Sequence, residues 1–161
     1  GRMSTLTIEP ITDSADVRLD WLLPMFEDLH VVMHAHGMVQ QLPTDGARLW
    51  MNGVRAGLER FTRVVVAMEG RTVVGFTSGS IKLAPEYLGG ARVGHWTHLY
   101  VNPSHRRGGI SRAMSDLLHG WFREKGVSSV ETQVVRDHPS SLPFVKSYGY
   151  EVEWYNLRLS L

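Results

Sequence analysis

Val101-Asn102-Pro103-Ser104-His105-Arg106-Arg107-Gly108-Gly109-Ile110-Ser111 decides how this chain is read. The strand-like residues 96–101 stop at Pro103, and a basic, glycine-rich turn follows. Ile110, Ala113, Met114, Leu117, Leu118 and Trp121 then recur at helical spacing. Glycine removes the Cβ obstruction, so backbone N–H groups can close around an anion. A helix N-terminus aims its unpaired donors and the positive end of its dipole at the same point. Strand, turn and helix together make a seat for a pyrophosphate.

Working outward, residues 92–101 read as the strand that feeds the turn, and the helix runs from Ile110 to Lys125 with Gly126 as its stop. Residues 127–136 follow as a strand, so the unit 92–136 is expected to be a parallel crossover. Pro139 or Ser140 opens a short helix to Tyr148, and residues 150–159 finish as one or two strands. Upstream, residues 63–68 and 72–83 form two strands about the turn Glu69-Gly70. Gly75 and Gly79 in the second predict a bulge or a close backbone approach. Residues 6–10 read as a first strand. A helix capped by Asp13 or Ser14 carries Val17, Trp21, Met25 and Leu29, with a kink or a fresh start at Pro24. Thr44 or Asp45 caps a second helix with Trp50, Val54, Leu58 and Phe61 on one side. The expected architecture is α/β: about six to seven strands in a mixed, mostly antiparallel sheet, flanked by about four helices.

With 161 residues, 43% hydrophobic and 20% charged, the chain is expected to form one globular domain over 3–161. Gly1-Arg2 reads as a cloning remnant. Net charge is +1, so Arg106, Arg107 and Arg112 are a local patch, and neither nucleic acid nor a membrane is expected as a partner. No apolar run reaches the roughly 18 residues of a membrane span. There is no cysteine, which excludes disulfides, thiolate metal sites and a cysteine acyl-enzyme, and fits a cytoplasmic setting. The five tryptophans are read as core or rim anchors; for Trp154 and Tyr155 a contact in a homodimer is the alternative.

This order resembles the GNAT superfamily of acyl-CoA-dependent N-acyltransferases. Its signature, Gln/Arg-x-x-Gly-x-Gly/Ala after the fourth strand, is met at Arg106 and Gly109, with Ser111 at the last position. Leu99-Tyr100-Val101-Asn102-Pro103 is similar to the usual strand end. Phe144-Val145-Lys146-Ser147-Tyr148-Gly149-Tyr150 is similar to the usual aromatic-rich ending. The resemblance implies a sheet splayed between its fourth and fifth strands and acetyl-CoA as cosubstrate. Arg106 and the backbone amides of Arg107, Gly108, Gly109, Ile110, Ser111 and Arg112 would take the pyrophosphate. Leu99, Tyr100 and Val101 would lie along the pantetheine arm, with His138, Ser141 and Phe144 toward its reactive end.

The resemblance further implies transfer of an acetyl group to a primary amine, of a small molecule or a peptide, by direct attack. Two alternatives are a sensor that binds acyl-CoA without turnover and a transferase with a longer acyl donor. Family members often carry an acidic base on the fourth strand. Residues 94–101 hold no acid, and His98 stands at that position as the candidate base, a packed sheet histidine being the other reading. The usual thiol-protonating tyrosine falls at Val145. Tyr148 or Ser141 would have to serve, or the thiolate leaves unassisted. His30, His34 and His36 have a spacing compatible with a metal, but helix-end chemistry explains them as well, and no metal is expected. With Met33, Met38 and Gln40 they are candidates to line the acceptor pocket, and Glu86-Tyr87 in the loop 84–90 is a second candidate for acceptor contact.

Overall fold

The computed structural model describes residues 5–161; Gly1-Arg2 lie outside them. Among the described residues there are five strands, β1 (Leu6–Ile11), β2 (Thr62–Glu69), β3 (Thr72–Leu83), β4 (Arg92–Val101) and β5 (Ser129–Thr132), and four α-helices, α1 (Leu22–Ala35), α2 (Gly46–Gly57), α3 (Ile110–Glu124) and α4 (Ser141–Lys146). The strands lie in one sheet in the order of the chain. Neighbours from β1 to β4 are antiparallel, and β5 is parallel to β4. None of these helices is long and apolar enough to cross a membrane.

Strand β2 shows how the sequence builds two layers. Val64 and Val66 point into a core with α1 and α2, whose anchors include Leu22, Met25, Met51 and Phe76. Val65 and Ala67 point the other way, into a core with Met114, Leu118, Trp121 and Phe122 of α3. Successive strand side chains alternate between faces, so a continuous apolar run marks a strand buried on both sides. Glycine lets α3 press closely onto the sheet. A Cβ on Gly79 would meet Phe122 Cζ at 2.6 Å, and one on Gly94 would meet Phe122 Cδ1 at 2.7 Å.

The structure corrects several expectations. The segment from Val17 divides into a short 3-10 turn, Val17–Leu19, and α1, with Pro24 in the first turn of α1. There its missing N–H leaves no helix carbonyl unpaired. Phe61 lies beyond α2 and is 52% exposed. The expected strand 127–136 is shorter, and 150–159 is not a strand. The sheet therefore has five strands rather than six or seven. Trp154 is 81% and Tyr155 84% exposed, so they anchor no core.

Candidate active site

The turn before α3 is open and conformationally costly. Arg107 has φ 73° and Gly109, the N-cap of α3, has φ 79°. A left-handed arginine costs about 1–2 kcal/mol. No side chain caps the helix among the described residues, so the first-turn N–H groups face outward. Neighbouring side chains are held away from them. Arg106 Nε donates to the Val101 carbonyl at 3.0 Å. Arg112 donates to Ser147 Oγ at 2.6 Å and lies 4.5 Å over the Tyr148 ring. The result is a hollow of about 220 Å³ lined by Val101, Arg107, Gly109, Ile110, Ser111 and Phe144, among others.

A groove of about 370 Å³ leads away from it along β4, sharing Val101, Arg106, Ser111 and Phe144 with the hollow. Its cause is the parallel junction. Pairing of β4 with β5 runs from Val93–Ser129 to Trp96–Thr132 and stops. At that level β4 carries an extra residue, because Gly79 opposes Trp96 while Ser78 opposes His98, which leaves Thr97 as a bulge. Beyond it, the backbone groups of 97–101 that point away from β3 meet the groove rather than a strand. One wall is Leu99, Tyr100 and Val101; the other includes Gln133, Val134, Val135, His138 and Ser141. Leu29, Val32 and Met33 of α1 cover one side.

His98 also lines the groove. Its ring packs against Phe26 at 5.1 Å, Trp50 at 5.4 Å and His30 at 6.2 Å. Nδ1 is 3.3 Å from the Ser78 hydroxyl. Burial, and then the positive charges that His30 and His95 would carry, push its pKa down to about 3. The imidazole is therefore uncharged at neutral pH and is a weak base.

Other sequence expectations divide. Every residue expected to contact the cosubstrate lines the hollow or the groove except Gly108, which stays within the turn. Ser141 lines the groove, its hydroxyl 3.0 Å from His138 Nδ1. Tyr148 does not line it. Its hydroxyl donates to Asp116 Oδ1 at 2.8 Å, and burial with that carboxylate pushes its pKa up to about 12. Its one hydroxyl hydrogen is thus engaged outside the groove. His30, His34 and His36 each donate from Nδ1 to a carbonyl, of Phe26, Met38 and Val32; only the Val32 carbonyl belongs to the last turn of α1, so the helix-end role holds for His36 alone. Of the acceptor-pocket candidates Met33 lines the groove, while the other named residues, including Glu86 and the 86% exposed Tyr87, do not. The run 132–135 belongs to the segment near 130–136 that the resemblance sets across the gap, whereas Thr97 carries no mark in the sequence; its bulge follows from pairing register, which no local pattern displays.

With this geometry in view the comparisons are specific. Residues 24–150 match the Acetyltransferase (GNAT) family. The chain belongs to that family. Membership makes it an acetyl-CoA-dependent acyltransferase. Glucosamine 6-phosphate N-acetyltransferase of Trypanosoma brucei brucei is 28% identical over 153 residues, covering 94% of this chain and 100% of that one. Two crystal structures share the GNAT fold. One is a predicted acetyltransferase with acetyl-CoA from Clostridium acetobutylicum (TM-score 0.77, 16% identity, 96% of each chain). The other is an aminoglycoside acetyltransferase from an uncultured soil metagenomic sample in complex with trehalose (TM-score 0.69, 18% identity, 97% of this chain and 96% of that one). A GNAT cosubstrate suits the donor set: outward backbone N–H groups for a diphosphate, joined to a strand edge with free backbone groups for an amide-bearing arm.

Proposed function

We propose that the chain transfers the acetyl group of acetyl-CoA to a primary amine of a small molecule with little positive charge, by direct attack in a ternary complex. The observation that carries this reading is continuity: the turn at Arg107–Gly109 and the groove that reaches His98 share their walls. Bound there, acetyl-CoA supplies an acyl carbon activated as a thioester. N–H groups of residues 107–112 take up the phosphate charge. The free edge of 97–101 orients the arm as an added strand would be oriented, and an N–H of that edge faces the developing oxyanion. His98, uncharged, accepts the proton that the amine nitrogen sheds as it bonds to carbon. Ser141, placed by His138, offers a hydroxyl donor to the leaving sulfur in place of the absent tyrosine.

The acceptor class follows from charge. Neither the hollow nor the groove is lined by an Asp or Glu, so a polycationic amine finds no ion pair there. An amino sugar or its phosphate ester, the substrate type in the name of the trypanosomal relative, suits such walls better. The test is thiol release from acetyl-CoA over glucosamine 6-phosphate, an aminoglycoside, a polyamine and a peptide N-terminus. The cysteine-free chain contributes no thiol background. Turnover is expected to favour the amino sugar phosphate. Faster turnover of the polycations would overturn the acceptor assignment, and CoA binding without turnover of any amine would overturn the reaction. Competition with succinyl-CoA reads the donor length.

A further inference from the structure

Ser78 of β3 is 1% exposed and does not line the groove, yet it meets the side chains of two consecutive residues of β4. The bulge is the reason: Ser78 opposes His98, and Thr97 is the extra residue beside it. Ser78 Oγ is 2.7 Å from Thr97 Oγ1 and 3.3 Å from His98 Nδ1. Thr97 Oγ1 is in turn 2.9 Å from the Ser78 carbonyl oxygen.

Only one placement of hydrogens satisfies all three contacts. A hydroxyl has one hydrogen to give, a carbonyl has none, and a neutral imidazole has one, on either nitrogen. The Ser78 carbonyl can only accept, so Thr97 donates its hydrogen there. Ser78 then donates its own to Thr97 Oγ1, the shortest of the three contacts. With that hydrogen spent, Ser78 Oγ accepts at the third contact, and the donor is Nδ1–H of His98. The opposite placement, Thr97 to Ser78 Oγ and Ser78 to Nδ1, leaves the carbonyl contact without a hydrogen. Buried polar groups are paired as a rule, and the first placement pairs every group.

We propose that Ser78, itself held by Thr97, is a positioning residue that fixes His98 as the Nδ1–H tautomer and so leaves the Nε2 lone pair to take the proton of the attacking amine. The inference rests on the reading of His98 as the proton acceptor, and adds which atom acts and what selects it. The hydrogen bond made by one ring nitrogen sets the state of the other. His98 turns Nδ1 to β3 and also lines the groove, so the edge of the ring left for a substrate is the one bearing Nε2. As the amine nitrogen bonds to the acyl carbon, its proton passes to Nε2. The C–S bond breaks with its electron pair on sulfur, and the proton then leaves Nε2 for that thiolate, directly or through solvent. Nδ1–H keeps its bond to Ser78 throughout, so the ring does not turn. The other tautomer would present Nε2–H, which ties up the nitrogen lone pair that has to attack.

NMR of the ring nitrogens, on the full chain with isotope-labelled histidine, reads the tautomer directly; His98 is assigned by the signals lost in His98→Ala. At pH 7 the wild type is expected to show a protonated Nδ1 and a bare Nε2. Thr97→Val replaces a hydroxyl by a methyl of similar shape. It frees the Ser78 hydrogen to turn to Nδ1, so the ring is expected to switch to Nε2–H. Thr97→Ser keeps the hydroxyl and is expected to keep Nδ1–H. Ser78→Ala removes the fixing partner, and both tautomers are expected. With acetyl-CoA and glucosamine 6-phosphate, kcat of Ser78→Ala is expected to fall about 10-fold or more with CoA affinity unchanged. In the His98→Ala background the same change is expected to cost nothing further, because the two residues act as one unit. A wild-type Nε2–H form, or a tautomer indifferent to both Thr97→Val and Ser78→Ala, would overturn the inference and leave the base assignment to His98→Ala alone. The expected tautomers with His98→Ala turning over at the wild-type rate would overturn the base assignment, and the role of Ser78 with it. If a variant fails to fold by circular dichroism, the wild-type tautomer decides.

Discussion

β3 meets β4 along nearly all of its length, from Leu83–Arg92 to Gly75–Val101. β4 meets β5 from Val93–Ser129 to Trp96–Thr132 and no further. The first junction is sealed on both faces, Trp96 and Phe76 being 3% and 0% exposed. The second opens into the groove. The same strand therefore takes part in both kinds of junction. Where its backbone groups find partners in the sheet they contribute stability. Where the bulge at Thr97 and the end of β5 leave them free, they are available to a ligand. Stability and binding should accordingly separate by mutation.

The largest expected effect lies on the sealed side. Phe122 is 1% exposed and seats against Gly79 and Gly94. Phe122→Ala should cost about 3–5 kcal/mol by urea denaturation, with CoA affinity of the folded fraction little changed. A cost below about 1 kcal/mol would mean that α3 is held by its turn rather than by its core face.

Next is the mirror experiment. Nothing lies within 4 Å of a Cβ built on Gly109, and its φ is 79°. A side chain fits there, and aspartate is among the residues that tolerate this conformation best. Gly109→Asp should thus keep the fold. It sets a carboxylate against a diphosphate, a like-charge contact that costs several kcal/mol, so CoA affinity should fall about 100-fold or more. Calorimetric titration reads it, and unchanged affinity would remove the turn from the binding site.

Smaller again is His98→Ala. General bases contribute roughly 10²–10⁴, and a histidine held at a pKa of about 3 belongs at the low end. Turnover should fall about 100-fold, with CoA affinity unchanged. The wild-type rate should show no acid limb near pH 6.5 from this residue, because it is already unprotonated there. Such a limb, lost in His98→Ala, would mean that binding of substrate restores an ordinary histidine.

What the sequence disclosed follows the range of the interaction concerned. The turn at Arg106–Gly109 is local chemistry, and it was legible residue by residue, as was the alternation of Val64, Val65, Val66 and Ala67. The fork was legible only through resemblance. The bulge at Thr97 and the end of β5 at Thr132 depend on which residue of one strand opposes which of another, and nothing near them in the chain records that. Residues 133–136 continue the strand pattern of 127–132 yet leave the ladder, because β4 has already turned away. Tyr148 is a similar case: its sequence position suits a proton donor, but its ring stacks on His119 at 4.7 Å and its hydroxyl donates to Asp116. The segment 150–159 is the converse: its alternation reads as strand, yet no strand forms there, because alternation specifies a half-buried face without specifying what covers it.

The smallest expected effect concerns pH and ties the two junctions together. His98 sits where the sealed sheet becomes the groove. An unfolded histidine titrates near 6.5, whereas folded His98 does so at about 3. Between those values the unfolded chain binds the extra proton. Stability therefore rises with pH through this window and is lost as pH falls through it. From pH 7 to pH 5 the loss from His98 should be about 1–2 kcal/mol. His95, His119 and His138, whose pKa values burial also lowers, act in the same direction. Thermal unfolding at pH 7 and pH 5 measures the sum, and His98→Gln should shrink the difference by its own share. An undiminished difference would mean that His98 is hydrated through the open groove and titrates like a surface residue. The line between sealed and open sheet would then run on the β3 side of His98 rather than through it.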